Sequence, residues 1–251
     1  MKPIRSRLRA LRKLLRSKPE RVRREDMDDP AFQAIHERCS RFTMTSIERM
    51  YALHQAVAYL KRAAIPGDFV ECGVWRGGSS MLTALSLLEL KDSTRTLYLY
   101  DTFEGMSRPT EKDVSIKGHA ASPRWEERRH GEGSAWCEAS IEDVRANLAE
   151  TGYPGDRLRF IKGKVEDTIP GVIPDKIALL RLDTDWYEST RHEFEHLYPR
   201  LEVGGVVIID DYGHWEGARI AADEYFAAHD IPIFLNRIDY TGRIAIKPPA
   251  A

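Results

Sequence analysis

From residue 68 to residue 230 the chain alternates short apolar runs with amphipathic ones, and nothing else in it restricts the fold so strongly. "DFVECGV" (68–74), "TLYLYDTF" (96–103), "LRFIKG" (158–163), "KIALLRLDTD" (176–185) and "GGVVIIDDY" (204–212) read as buried strands. "SSMLTALSLLELK" (79–91), "SIEDVRANLAETG" (140–152), "STRHEFEHLYPRL" (189–201) and "GARIAADEYFAAHD" (217–230) carry apolar residues at helical spacing. Ser140 and Asp143 form a capping box at the start of the second helix. Apolar strands separated by helices imply a parallel sheet covered on both faces. "IPIFLNRI" and "RIAIKP" flank Asp239-Tyr240-Thr241-Gly242, a turn signal, so this last pair is antiparallel. The expectation is an α/β fold with a doubly wound, seven-stranded, mostly parallel sheet. Residues 28–64 read as a helical extension, stopped by Pro66-Gly67.

Charge divides the chain. Residues 1–24 hold 11 Lys/Arg and one acid, leaving 27 basic and 38 acidic residues for the rest. A body near −11 is a poor duplex-DNA binder, so nucleic acid is not an expected partner. In the head, Ile4, Leu8, Leu11 and Leu15 make a short basic amphipathic helix. It suits an anionic membrane surface or an acidic partner, or else a solvated arm. The expected organisation is a basic arm over 1–27 and one domain over 28–251. No run reaches the roughly 18 apolar residues of a membrane span, and no signal-peptide pattern follows the basic start. Cys39, Cys72 and Cys137 are too few and too scattered for a disulfide framework or a zinc cluster. A reducing cytoplasm is the expected location.

In open α/β sheets ligands bind beyond the carboxyl ends of the strands. Those ends carry Glu71-Cys72-Gly73-Val74-Trp75-Arg76-Gly77-Gly78-Ser79, Asp101-Thr102-Phe103, Lys164-Val165-Glu166-Asp167, Asp183-Thr184-Asp185 and Asp210-Asp211. The first is a glycine-rich turn into a helix, but it has neither the dinucleotide fingerprint nor a phosphate-binding Gly-Lys-Ser/Thr. Glu71 repels a phosphate and suits an ammonium group. Asp101 stands where an acid accepts the two hydroxyls of a ribose. An unphosphorylated nucleoside with a cationic tail fits both, and S-adenosylmethionine is such a molecule. Asp183 and the Asp210-Asp211 pair end strands expected to be neighbours. Three converging carboxylates raise one another's pKa unless a cation lies between them. Oxygen-only donors favour Mg²⁺, with Ca²⁺ or Mn²⁺ as alternatives.

Taken together, "FVECGVWRGGSS", "YLYDTFEGM", "LLRLDTDWYEST" and "GGVVIIDDYGHW" resemble the macrocin O-methyltransferase family, from about Thr43 to about Glu224. The resemblance implies a Rossmann-like, class I methyltransferase fold. It also implies metal- and S-adenosylmethionine-dependent methylation of a sugar hydroxyl on a free or glycosylated acceptor, in a homo-oligomer. On that basis Glu71, Gly73, Trp75, Gly77 and Ser79 hold the methionine end of the cofactor. Asp101, with Thr102 and Phe103, takes the ribose. Val165 and Glu166 lie beside the adenine, although Lys164 and Val165 replace the aromatics usual in the family. Thr43 and Met44, in "TMTSIERM" (43–50), close over the cofactor. Asp183, Asp210 and Asp211 match the metal triad, and residues 104–137 match a substrate lid.

The expected chemistry is a single displacement, with Asp183 removing the proton of the attacking hydroxyl. His214 and His119 are further candidates for the base. A catechol or other phenol is the alternative acceptor, stacked on Trp125 and Trp136. A cofactor-binding scaffold without turnover is a third reading, weakened by the intact acids. An NAD-dependent oxidoreductase lacks the required glycines.

Overall fold

The computed structural model describes residues 27–131 and 133–249. The strands are β1 (Asp68–Cys72), β2 (Leu97–Asp101), β3 (Arg129–His130), β4 (Gly133–Ser134), β5 (Leu158–Lys162), β6 (Ile177–Leu182), β7 (Leu201–Ile209), β8 (Asn236–Arg237) and β9 (Arg243–Ile246). The helices are α1 (Pro30–Cys39), α2 (Ile47–Arg62), α3 (Gly78–Glu89), α4 (Ser122–Glu127), α5 (Ile141–Ala149), α6 (Val165–Thr168), α7 (Tyr187–Leu197) and α8 (Glu216–Ala228). Seven strands form one sheet in the order β5-β2-β1-β6-β7-β9-β8. The first five are parallel, and β9 runs antiparallel to both β7 and β8. Among the described residues, no helix is long and apolar enough to cross a membrane.

The period-2 alternation of side chains decides which layer each strand residue joins. Phe69, Leu97, Leu99, Leu179, Val206 and Ile208 pack with residues of α2, α3 and α5. Val70, Tyr100, Leu180, Leu182, Val207 and Ile209 pack with residues of α7 and α8 on the other face. Both faces are therefore covered, as near-continuous apolar strands require. The chain runs β1, β2, β5 in one direction and then returns to β6 and β7 on the other side of β1. The strand order reverses between β1 and β6, which places the binding crevice beyond their carboxyl ends.

Some elements differ from the sequence reading. The helical extension is made of two helices. After α1 comes a single 3₁₀ turn (Ser40–Phe42), and then Thr43 is extended. Thr43 Oγ1 accepts from Thr45 N–H and Ser46 Oγ accepts from Arg49 N–H. Short polar side chains here capture backbone donors that a continuous helix needs. The run 231–238 pairs only at β8. Pro232 has no N–H, and Ile233 N–H bonds locally to Ile231 C=O. The basic arm over 1–24 lies outside the described residues.

Residues 104–137 contain α4 and the small β3–β4 ribbon. Trp125, Trp136, Trp186 and Trp215 form one buried cluster between this segment and the loops after β6 and β7. Asp113, fully buried, ties the segment down. Its Oδ1 accepts from Tyr187 N–H at 2.8 Å, capping α7, and its Oδ2 accepts from Thr110 N–H at 2.6 Å.

Candidate functional site

A cavity of about 320 Å³ opens at the carboxyl ends of the strands, under residues of the 104–137 segment. Its floor is the turn between β1 and α3. Gly73 has φ +84°, and a Cβ there would overlap the Asp183 carbonyl. Only glycine lets the end of β1 turn this tightly against the end of β6. Gly77 caps α3 in the left-handed conformation, with φ +86°. Asp101, at the end of β2, accepts from Val74 N–H (2.7 Å), Trp75 N–H (3.0 Å) and Phe103 N–H (2.7 Å). Burial pushes the Asp101 carboxyl up, and these donors pull it back. Asp101 therefore shapes the turn as well as lining the cavity.

Glu71 is buried beneath the turn. Its Oε1 accepts from Arg181 Nη1 at 2.8 Å and its Oε2 accepts from the Ser80 hydroxyl. Burial raises the Glu71 pKa, and Arg181 and Ser80 oppose the rise. Arg181 projects from near the carboxyl end of β6 and meets Asp183 (2.8 Å) and Asp210 as well.

Above this layer, oxygens of Asp183, Asp185 and Asp211 lie within 4.8 Å of one another. Burial raises the Asp183 pKa to about 7, with Asp211 adding to the rise and Arg181 and Arg49 opposing it. Asp185 stands well above the carboxylate range, through burial and the charges of Asp211 and Asp183. Three half-buried carboxylates this close have the donor chemistry of a hard divalent cation.

The triad differs from the expected one by a single member. Asp210 is 1% exposed, and its two carboxylate oxygens are held by Arg49 and Arg181. The alternation along β7 explains this. Ile208 packs on the α2 face and Ile209 on the other, so Asp210 follows Ile208 toward Arg49 of α2. Asp211 turns the other way, to Asp183 and Asp185. The sequence reading placed Asp185 at a strand end but outside the triad, and it missed both arginines. A lone arginine inside "IALLRL" was the available signal, because a buried charge needs partners.

The remaining expected residues divide. Thr43, Met44, Trp75, Ser79, Thr102, Val165 and Glu166 line the cavity, as does Lys164. Gly77 and Phe103 do not line it. Phe103 is core, 4% exposed, and contributes only its N–H to Asp101. His214 lines the cavity, with Nδ1 3.4 Å from the Tyr240 hydroxyl. His119 is exposed and outside it. Trp136 lines the cavity, whereas Trp125 is buried and donates its Nε1–H to Met106 C=O. Cys137 lies at the acids after all, but burial and the charges of Asp185 and Asp183 push its thiol up to about 12. Without a cation beside it, Cys137 is a neutral thiol.

The profile of the macrocin-O-methyltransferase (TylF) family matches residues 4–245. The chain is 38% identical, over 80% of its length and 73% of the relative's, to the 8-demethyl-8-(2,3-dimethoxy-alpha-L-rhamnosyl)-tetracenomycin-C 4'-O-methyltransferase of Streptomyces olivaceus. It is 36% identical, over 89% of its length and 79% of the relative's, to the demethyldecarbamoylnovobiocin O-methyltransferase of Streptomyces niveus. Among solved structures, that of the O-methyltransferase NovP superposes with a TM-score of 0.73 at 33% identity, covering 82% of each chain. With a sheet of this order, a glycine turn at its switch point and a family profile spanning nearly its whole length, the chain belongs to the macrocin-O-methyltransferase family.

Proposed function

We propose that this O-methyltransferase moves the methyl group of S-adenosylmethionine to a hydroxyl of a sugar or glycosylated acceptor, with a divalent cation at Asp183, Asp185 and Asp211. One observation carries the reading: the acid cluster and the glycine turn after β1 open into the same cavity. The activities of the tetracenomycin and novobiocin relatives support O-methylation, and the rhamnosyl substrate of the first supports a sugar hydroxyl.

The donor side is the turn. Gly73, Trp75, Ser79 and Asp101 enclose it, Thr43 and Met44 cover it, and Val165 and Glu166 bound its far end. The buried Glu71 carboxylate supplies negative charge beneath the cofactor's ammonium group. The acceptor side is the acid cluster together with Trp136, His214, Trp215 and Tyr240. Asp183 takes the proton from the attacking hydroxyl. Its carboxylate lines the same cavity as the donor turn, which supports that role. A divalent cation, when bound, supplies Lewis acidity and fixes the angle of the acceptor. S-adenosylmethionine brings its own leaving group, so the protein's main contribution is alignment. A catechol acceptor is less well supported, because Trp125, one of the two rings it would stack on, faces the lid interior.

The test is calorimetry with S-adenosylhomocysteine, followed by methyl-transfer assays with and without EDTA. The account expects cofactor binding to survive EDTA while turnover is lost, and turnover to be lost in Asp183→Ala. Full activity in EDTA would overturn the role of the cation.

A further inference from the structure

The cavity's acids gather at the strand ends, but one wall carries an unneutralised positive charge. Arg124, in α4 of the 104–137 segment, lines the cavity. Its neighbours in that segment have counter-charges: Arg108 meets Glu126 at 3.3 Å, Arg129 meets Glu126 at 3.7 Å and Arg128 meets Glu127 at 2.8 Å. Arg124 has no carboxylate within ion-pair distance among the described residues. Its contact is with a ring, the guanidinium carbon lying 4.0 Å from the centroid of Trp136.

That contact has a specific consequence. A guanidinium held over an indole ring makes no ion pair there and keeps N–H groups for a planar or tetrahedral anion. The platform is firm, because Trp136 is 6% exposed and packs edge-on against Trp186 at 5.7 Å. Arg124 stands on the acceptor side, close enough to Cys137 to pull its thiol down while Asp183 and Asp185 push it up. The second lining cation without a counter-charge among the described residues, Lys164, stands at the opposite, donor end beside Val165 and Glu166.

Resting on the sugar O-methyltransferase reading, we propose that Arg124 is a specificity-determining residue that binds an anionic group of the acceptor, so that the substrate is an acidic sugar derivative. The shared chemistry is a carboxylate or phosphate oxygen pair accepting two N–H bonds from one guanidinium. The sugar's hydroxyls then face the acids while its charged group sits on the Arg124–Trp136 platform.

The test uses the full chain saturated with S-adenosylhomocysteine and Mg²⁺ at fixed ionic strength. Glucuronate, glucose 1-phosphate and methyl glucoside are titrated in by calorimetry. At least one charged sugar is expected to bind about tenfold or more tightly than the neutral one. Glucuronate and glucose 1-phosphate separate the carboxylate source from the phosphate source. Arg124→Gln should remove the charge preference, and Arg124→Lys, which keeps the charge but not the fork, should restore part of it. Charged sugars that bind no better than methyl glucoside, including no binding by any of the three, would overturn the proposal. So would a preference that survives in Arg124→Gln. Failure of the methyltransferase reading itself shows differently, as a wild-type chain that does not bind S-adenosylhomocysteine.

Discussion

Arg181 Nη1 lies 2.8 Å from Glu71 Oε1 and 2.8 Å from Asp183 Oδ2, so one buried guanidinium joins the donor turn to the acid cluster. The three side chains come from β1, β6 and the segment just past β6, at the point where the strand order reverses. Arg181 is the cation shared by Glu71, Asp183 and Asp210, with Arg49 also on Asp210. Arg181→Met should therefore destabilise the fold by about 3–5 kcal/mol, the usual cost of leaving buried charge uncompensated. Urea denaturation measures it. Loss of less than about 1 kcal/mol would mean the acids find another partner or take up protons freely.

Asp210 and Asp211 are adjacent but predict opposite phenotypes. Asp210 is held by Arg49 and Arg181, so Asp210→Asn should cost stability, by about 3 kcal/mol. Asp211 faces Asp183 and Asp185, whose carboxyls its charge pushes up, and removing that charge should leave the cation-free protein about as stable. Its Mn²⁺ affinity should fall at least about tenfold. Thermal unfolding in EDTA, paired with a Mn²⁺ titration, distinguishes the two variants.

Two glycines give a matched pair. Gly73 and Gly152 both have positive φ, +84° and +77°, but a Cβ at Gly73 would overlap the Asp183 carbonyl and one at Gly152 meets nothing within 4 Å. Gly152→Ala should cost only the conformational term, roughly 1–2 kcal/mol. Gly73→Ala should cost more and should also weaken S-adenosylhomocysteine binding, since the turn itself must shift. Equal melting temperatures and equal affinities for the two variants would contradict the role given to Gly73.

The pH dependence of stability follows from Asp183. Its carboxyl binds a proton more tightly folded, at about 7, than at the model-peptide value of 3.8. Between those values the folded state holds more protons, so its contribution to stability is full at low pH and is lost as pH rises through 7. His36 and His54, held below their usual value by burial, act in the opposite sense as pH falls. The difference between wild type and Asp183→Asn isolates the carboxyl. In EDTA, wild type should lose stability relative to this variant from pH 6 to pH 8. Mg²⁺ should stabilise wild type more at pH 8 than at pH 6, because the ligands must be deprotonated to bind it.

Much of this architecture was legible as periodicity. Apolar runs such as "VVIID" and the intervening amphipathic helices are sufficient for the parallel sheet, because strands covered on both faces leave few other folds. The strand ends then pointed to Glu71, Asp101, Asp183 and Asp211 by position alone, and all four line one cavity. Pairing was less legible. Whether Asp210 joins the acids or the arginines depends on which face of β7 it occupies and on Arg49 arriving from α2, a residue 161 positions away in the sequence. Phe103 looked like a ligand because it follows Asp101, but only its backbone serves the site. The packing of residues 104–137 had no period to read, since its order comes from Asp113 and four tryptophans and not from regular elements.

The most direct test of the central claim is anomalous diffraction from crystals grown with S-adenosylhomocysteine and Mn²⁺. The account predicts one strong peak within coordination distance of carboxylate oxygens of Asp183, Asp185 and Asp211, facing the cofactor's sulfur across the cavity. A map with the cofactor bound and no peak among those side chains would contradict it.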